Sequence, residues 1–378
     1  MTENTSTVAR DTLRSARGPL AGLRVVEFAG LGPAPFACML LSDMGADVVT
    51  VERMGKKLGD STDITGRGRT VVQADLKSPA SREEVLSLVD RADVLIEGFR
   101  PGVMERLGLG PDEVAARNPQ LVYGRMSGWG QQGPLSQAAG HDINYIALTG
   151  ALHAIGPAGG APVPPLNLLG DYGGGSLYLV VGILAALHEA QRSGRGQVVD
   201  AAITDGVLSL MSFAVASAMR GNFSEQRGGN MLDGGAPYYG VYETADGRHV
   251  SIGPIEPQFY ADLCERLGVE HSLRDAQKDK TRWPALRAEF ERIFRSRTRD
   301  EWTAALEGSD ACFAPVLALS EVAAHPHNAA RQAFVDVAGV KHPAPAPRFS
   351  RTPSGTQGPA PIQALDIEEI VARWSPAG

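Results

Sequence analysis

Cysteine is scarce in this chain. Of 378 residues only three are cysteines, Cys38, Cys264 and Cys312, and they form no CxxC pair. That usage excludes a disulfide framework and a zinc ribbon, and points to reduced thiols in a cytoplasmic protein. Each reads as a small buried apolar residue. None of the histidines has HExxH or comparable spacing, so no metal site is expected. Positive charge is not in excess. The net charge of −7 argues against nucleic acid as the main partner. Long apolar runs are missing too. The two most apolar stretches, 177–187 and 207–219, fall short of the ~20 residues of a membrane span and read as buried helices. Residues 1–17 lack an apolar stretch of signal-peptide length and read as a disordered leader.

Hydrophobic residues make up 43 % and charged residues 21 %, a globular balance in a chain long enough for two domains. From Leu20 to about residue 130, β-branched runs alternate with helical patterns. Leu23–Phe28 is a strand, Phe36–Met44 a helix and Ala46–Val51 a strand. The alternation continues through a helix 81–90, capped by Ser81, to a strand at 121–126. This pattern predicts an α/β fold, a Rossmann-like large domain with a parallel sheet. Periodicity disappears over Gly128–Gly175, a loop of functional length and composition. Helices near 176–192 and 204–219 follow. A smaller α+β domain is expected at 225–330, with a hairpin over 239–252. The large domain then spans 18–224 and is completed by 331–378, whose Pro-rich part reads as extended.

Gly30-Leu31-Gly32, between a strand and a helix, is the beginning of a dinucleotide fingerprint, and Glu52 stands where a ribose-binding acid would. Pro35 occupies the place of the third glycine, which weakens the nicotinamide reading. Arg53, at the end of the second strand, suits a phosphate.

Several motifs together carry a family resemblance. They are Leu20–Glu27 with Gly45–Val49, Ala74-Asp75-Leu76-Lys77, Gly98-Phe99-Arg100-Pro101-Gly102, Gly128-Trp129-Gly130, Gly140-His141-Asp142-Ile143-Asn144-Tyr145 and Gly170–Gly175. The set resembles the family III CoA-transferase superfamily. With Gly253–Gln258 it is similar to the α-methylacyl-CoA racemase branch. The resemblance implies a homodimer of interlocked chains and an acyl-CoA thioester substrate. It also implies no cofactor beyond the CoA that the substrate carries. By motif, Arg53 would meet the adenosine phosphate, and Ala74, Asp75, Leu76 and Lys77 the adenine and ribose. Gly98, Phe99, Arg100 and Arg106 would lie along the pyrophosphate. Gly140, Asp142, Ile143, Asn144 and Tyr145 would reach the pantetheine and thioester.

The C2 hydrogen of a thioester is weakly acidic, and its loss leaves an enolate. Inverting the centre needs one acid/base group on each face. The resemblance assigns these roles to His141 and Asp171, with Glu256 paired to the histidine. Histidine ordinarily titrates near neutral pH. An aspartate needs burial to do so, and Leu168, Leu169 and Tyr172 are apolar neighbours in sequence. A backbone N–H near Asp171, or a helix N-terminus after Gly175, could meet the enolate oxygen. The expected activity is racemisation of 2-methylacyl-CoA thioesters in branched-chain lipid metabolism. The alternative is a CoA-transferase in which Asp171 is the nucleophile.

Overall fold

A computed structural model describes residues 17–60 and 62–375. Except for Arg17, the expected leader lies outside the described residues. Two compact units are present. The first comprises the chain up to Thr149, Leu166–Leu210 and the chain from His327 onward; the second comprises Gly150–Pro165 and Met211–Pro326. Of the expected smaller domain, 225–326 lies in the second unit, joined there by 150–165 and 211–224.

In the first unit, six strands make one parallel sheet. They are β1 (Arg24–Phe28), β2 (Asp47–Arg53), β3 (Arg69–Ala74), β4 (Val94–Glu97), β5 (Val122–Ser127) and β6 (Val198–Ala202). Their order is β3-β2-β1-β4-β5-β6, the doubly wound arrangement that reverses direction between β1 and β4. Strand side chains alternate between faces. Val26, Phe28, Val49, Val51 and Val72 pack on one face with Leu88, Leu95, Met104 and Trp374. The helices Pro33–Asp43 and Leu177–Ser193 lie against the sheet as well as each other.

Helix Pro79–Val89 starts earlier than expected. Ser78, not Ser81, is the cap: its hydroxyl accepts the Ser81 N–H at 3.5 Å, and Pro79 fills the first turn, where its missing N–H costs nothing.

The stretch Gly128–Gly175 is not irregular throughout. Asp142–Leu148 is an α-helix, and Leu168–Ser176 is a π-helix that runs directly into Leu177–Ser193. The helix expected to begin near Ser176 therefore begins at Leu168. Glycine costs a helix about 1 kcal/mol per residue relative to alanine, which is why the sequence reads as a loop. Close packing offsets that cost. A Cβ on Gly174 would stand 2.4 Å from Val207 Cγ2, and one on Gly206 would stand 1.9 Å from the Gly174 oxygen. The glycines let helix Ile203–Leu210 seat against the π-turns. The joined run Leu168–Ser193 is 26 residues, long and apolar enough to cross a membrane by length and composition alone. In this fold Leu179, Val180, Ile183 and Ala186 on it are buried.

The second unit holds a three-stranded antiparallel sheet of β7 (Gly240–Glu243), β8 (His249–Ile252) and β9 (Phe313–Pro315). Its core is aromatic. Tyr242 stacks on Phe294 at 5.2 Å between ring centres, and Trp302 meets Phe294 edge-on. The expected buried helix over 207–219 is two helices, broken at Met211. The second, Ser212–Met219, buries no residue, and Phe213 and Met219 are 66 % and 85 % exposed. Cys312 also departs from expectation: it is exposed, at a φ of 51°, while Cys38 and Cys264 are buried.

Candidate active site

The expected site residues of the first unit gather at the carboxyl ends of β1–β5. Arg53 ends β2 in register with Ala74, which ends β3. Gly98-Phe99-Arg100 leaves β4, and Arg106 ends the short helix Val103–Arg106. Ala74 is 2 % exposed, so only its backbone can face a ligand. Leu76 is partly buried on the core. Asp75 accepts the Lys77 N–H at 3.1 Å, which shapes the turn after β3. Among the described residues, Arg53, Lys77, Arg100 and Arg106 are exposed cations without an ion pair. Glu97, 1 % exposed, anchors this edge. It accepts the Phe99 N–H at 2.7 Å and an Arg125 N–H at 3.0 Å, while Arg125 also grips Glu105 at 2.8 Å. A cleft of about 540 Å³ opens along Gly30–Gly32, Lys56, Lys57 and Tyr172. A larger one, of about 780 Å³, lies at the opposite, amino edge beside Arg24, Asp93 and Trp374, away from these residues.

His141 caps the helix Asp142–Leu148 and is exposed. Its N–H donates to Asn144 Oδ1 at 3.0 Å, which fixes its backbone. Tyr145, one turn on, donates its hydroxyl to the Gly140 oxygen and meets Trp129 edge-on at 4.7 Å. Gly128 must be glycine here, since a Cβ would lie 2.0 Å from the Tyr145 ring.

Asp171 stands within the π-helix, a helix form that recurs at functional sites. Of the apolar neighbours expected, Leu168 is 58 % exposed, while Leu169 and Tyr172 are partly buried. The head of helix Pro33–Asp43 also closes on Asp171. A Cβ on Gly32 would come 3.0 Å from Asp171 Oδ2, and Phe36 stacks on Tyr172 at 4.0 Å. The buried Ser176 hydroxyl bonds the Pro33 oxygen at 2.7 Å and the Asp171 oxygen at 3.0 Å, tying the two helices together. Burial, then the nearby Asp142 carboxylate, pushes the Asp171 carboxyl up to about 6, against the pull of His141. Burial, and then the Asp171 carboxylate, hold the Tyr145 hydroxyl above its usual range. Of the enolate donors expected near Asp171, the Asp171 N–H donates to Asp142 Oδ2 at 2.7 Å, and the Leu177 N–H, where the α-helix continues the π-turns, donates to the Tyr172 oxygen.

Glu256 belongs to the second unit, where it is exposed and caps the helix Pro257–Leu267. The Gln277 amide donates to the Pro254 and Ile255 oxygens at 3.1 and 2.9 Å and so fixes the turn before it. Sequence reading missed Gln277, Gly32, Phe36, Ser176, Lys56 and Lys57. None stands in a recognisable motif except Gly32, whose GxG context had suggested a nucleotide. No cluster of metal-ligating side chains occurs among the described residues.

A doubly wound α/β sheet with His141, Asp171 and unpaired cations beyond its carboxyl edge is of the Rossmann-like class. The chain belongs to CoA-transferase family III, whose model matches residues 20–364. It is 46 % identical over 336 residues to the α-methylacyl-CoA racemase of Mus musculus, covering 89 % of this chain and 87 % of that one. It is 32 % identical to the succinyl-CoA–D-citramalate CoA-transferase of Chloroflexus aurantiacus, covering 93 % of each. A CaiB/BaiF family protein from Brucella suis has a similar structure, with TM-score 0.80 and 26 % identity, covering 95 % of this chain and all of that one.

Proposed function

We propose that the protein interconverts (R)- and (S)-2-methylacyl-CoA thioesters by two-base 1,1-proton transfer through an enolate. The observation that carries this reading is Asp171, a half-buried carboxyl pushed to about 6 within electrostatic reach of His141. At that value an aspartate can both give and take a proton near neutral pH. In this reading one of the pair removes the C2 proton from one face, and the other returns a proton to the opposite face. The enolate oxygen is met by the N–H groups of Asp142 and Ile143, which open the helix beside His141. Glu256 pairs with the histidine, supplied by one chain or the other of an interlocked homodimer. The apolar yet exposed helix Ser212–Met219 supports such a partner. Arg53, Lys77, Arg100 and Arg106, with Lys56 and Lys57, supply the positive charge that CoA phosphates need. No cofactor is called for, because CoA is part of the substrate. The unpaired thiols of Cys38 and Cys264 support a cytoplasmic setting.

The transferase reading draws on the Chloroflexus relative and on the same carboxylate used as a nucleophile. One experiment separates the two. A chiral 2-methylacyl-CoA is incubated in D2O without a carboxylic acid, and C2 deuterium and configuration are followed together. Inversion with deuterium uptake is expected, and His141→Ala and Asp171→Ala should each lower inversion by about 10³-fold. Silence, followed by CoA transfer once a carboxylate is added, would establish the transferase instead.

A further inference from the structure

Asp142 faces Asp171 in a way that CoA binding does not explain. It lies on the first turn of the helix Asp142–Leu148, and its Oδ2 accepts the Asp171 N–H at 2.7 Å. Its other oxygen, Oδ1, is buried and has no hydrogen-bond partner among the described residues. No cation pairs with this carboxylate among the described residues, so its charge is left to act on its neighbours. The approach is possible only because residue 170 is glycine: a Cβ there would stand 2.3 Å from Asp142 Oδ2. A carboxylate held against the Asp171 backbone disfavours ionisation of the Asp171 side chain, adding to the effect of burial.

We infer that Asp142 is a positioning residue for proton transfer, fixing the Asp171 backbone through one oxygen and keeping the Asp171 carboxyl protonatable through its charge. This inference rests on the racemase reading for its purpose, though not for its geometry. Other elements around Asp171 bring little charge. The head of helix Pro33–Asp43 presents Gly32, Pro33 and Phe36. The facing helix Ile203–Leu210 presents Ile203 and Val207, and its Asp205 is exposed. His141 opposes Asp142, and Tyr145 and Tyr172 are further titratable neighbours. The tuning of Asp171 therefore falls first to burial and then to Asp142.

The test reads Asp171 directly in the full-length, substrate-free protein, by NMR titration of ¹³C-labelled aspartate carboxyls assigned with Asp171→Asn. Asp142→Asn keeps an oxygen for the Asp171 N–H and removes the charge. It should lower the Asp171 titration by about one pH unit and move the acidic limb of the kcat–pH profile for C2 exchange by the same amount. Gly170→Ala should displace Asp142 and shift Asp171 in the same direction without altering any ionisable group. It also serves should Asp142→Asn fail to fold. An Asp171 titration unchanged in the folded variants would overturn the inference. Normal tuning in a protein that does not exchange C2 hydrogen would overturn the racemase reading and leave this one standing.

Discussion

The carboxylates buried beneath the sheet and the two at the head of the π-helix are placed by opposite rules. Asp43, 1 % exposed, receives two hydrogen bonds from Arg67, at 3.0 and 2.5 Å. Glu27, equally buried, lies 3.2 Å from Arg69 and accepts the Thr50 hydroxyl at 2.6 Å. Glu97 has Arg125. Asp171 and Asp142 have no arginine against them among the described residues; each instead bears on the other. A buried charge costs several kcal/mol unless it is paired, so a fold that only needs a carboxylate for shape surrounds it with guanidinium. A carboxylate left beside its own kind is free to hold a proton near neutral pH, as the proposed reaction requires of Asp171.

The comparison can be broken from the structural side first. Arg67→Met leaves Asp43 buried without its partner and also frees the Pro343 oxygen that Arg67 holds at 2.8 Å. A loss of about 3–5 kcal/mol is expected in urea unfolding. A loss below about 1 kcal/mol would show that Asp43 simply takes up a proton, which its upward shift by burial allows. A smaller effect is expected where the π-helix meets its neighbour. Gly206→Ala places a methyl 1.9 Å from the Gly174 oxygen, and should cost about 1–3 kcal/mol by overpacking. Because the shift of the backbone moves Asp171, C2 exchange should fall further than stability does. The smallest effect sharpens the contrast, because it has the opposite sign. Asp171 is raised to about 6 in the folded state, above its usual 3.8. Ionising it therefore opposes folding above pH 6, and the penalty is absent below the unfolded value. Asp171→Asn should stabilise by about 1–2 kcal/mol at pH 7.5, allowing for its partial exposure. That gain should fade as pH falls through 6 toward 4, read as the difference between the two Tm–pH curves.

Much of the large unit was legible in sequence because its strands, such as Leu23–Phe28 and Ala46–Val51, carry β-branched runs between glycine turns. His141, Asp171 and Glu256 were legible only as motif members; no periodicity marks them. What stayed hidden has a common cause. Four of the nine residues of the π-helix are glycines whose value lies in what touches them, Val207 and Ile203 on one side and Asp142 on the other. Those partners are distant in sequence. The C-terminal helix Ile367–Trp374 escaped for a related reason, since it follows a proline-rich tail and earns its place through Trp374, buried beneath the sheet.

That last helix bears on how the protein is made. Trp374 donates its indole N–H to Asp47 at 2.7 Å, and its carbonyl oxygen accepts an Arg24 N–H at 3.0 Å, joining the ends of the chain's described span across 350 residues. Gln357 likewise donates to the Ser42 and Ala46 oxygens. In the order of synthesis β1 and β2 thus precede by some 350 residues the helix that covers this apolar face of the sheet. At about 5–20 residues per second, that delay lasts tens of seconds. Over that interval the sheet would expose apolar surface of the kind chaperones bind, and a chain truncated before Ile367 would have a first βαβ unit that lacks its cover.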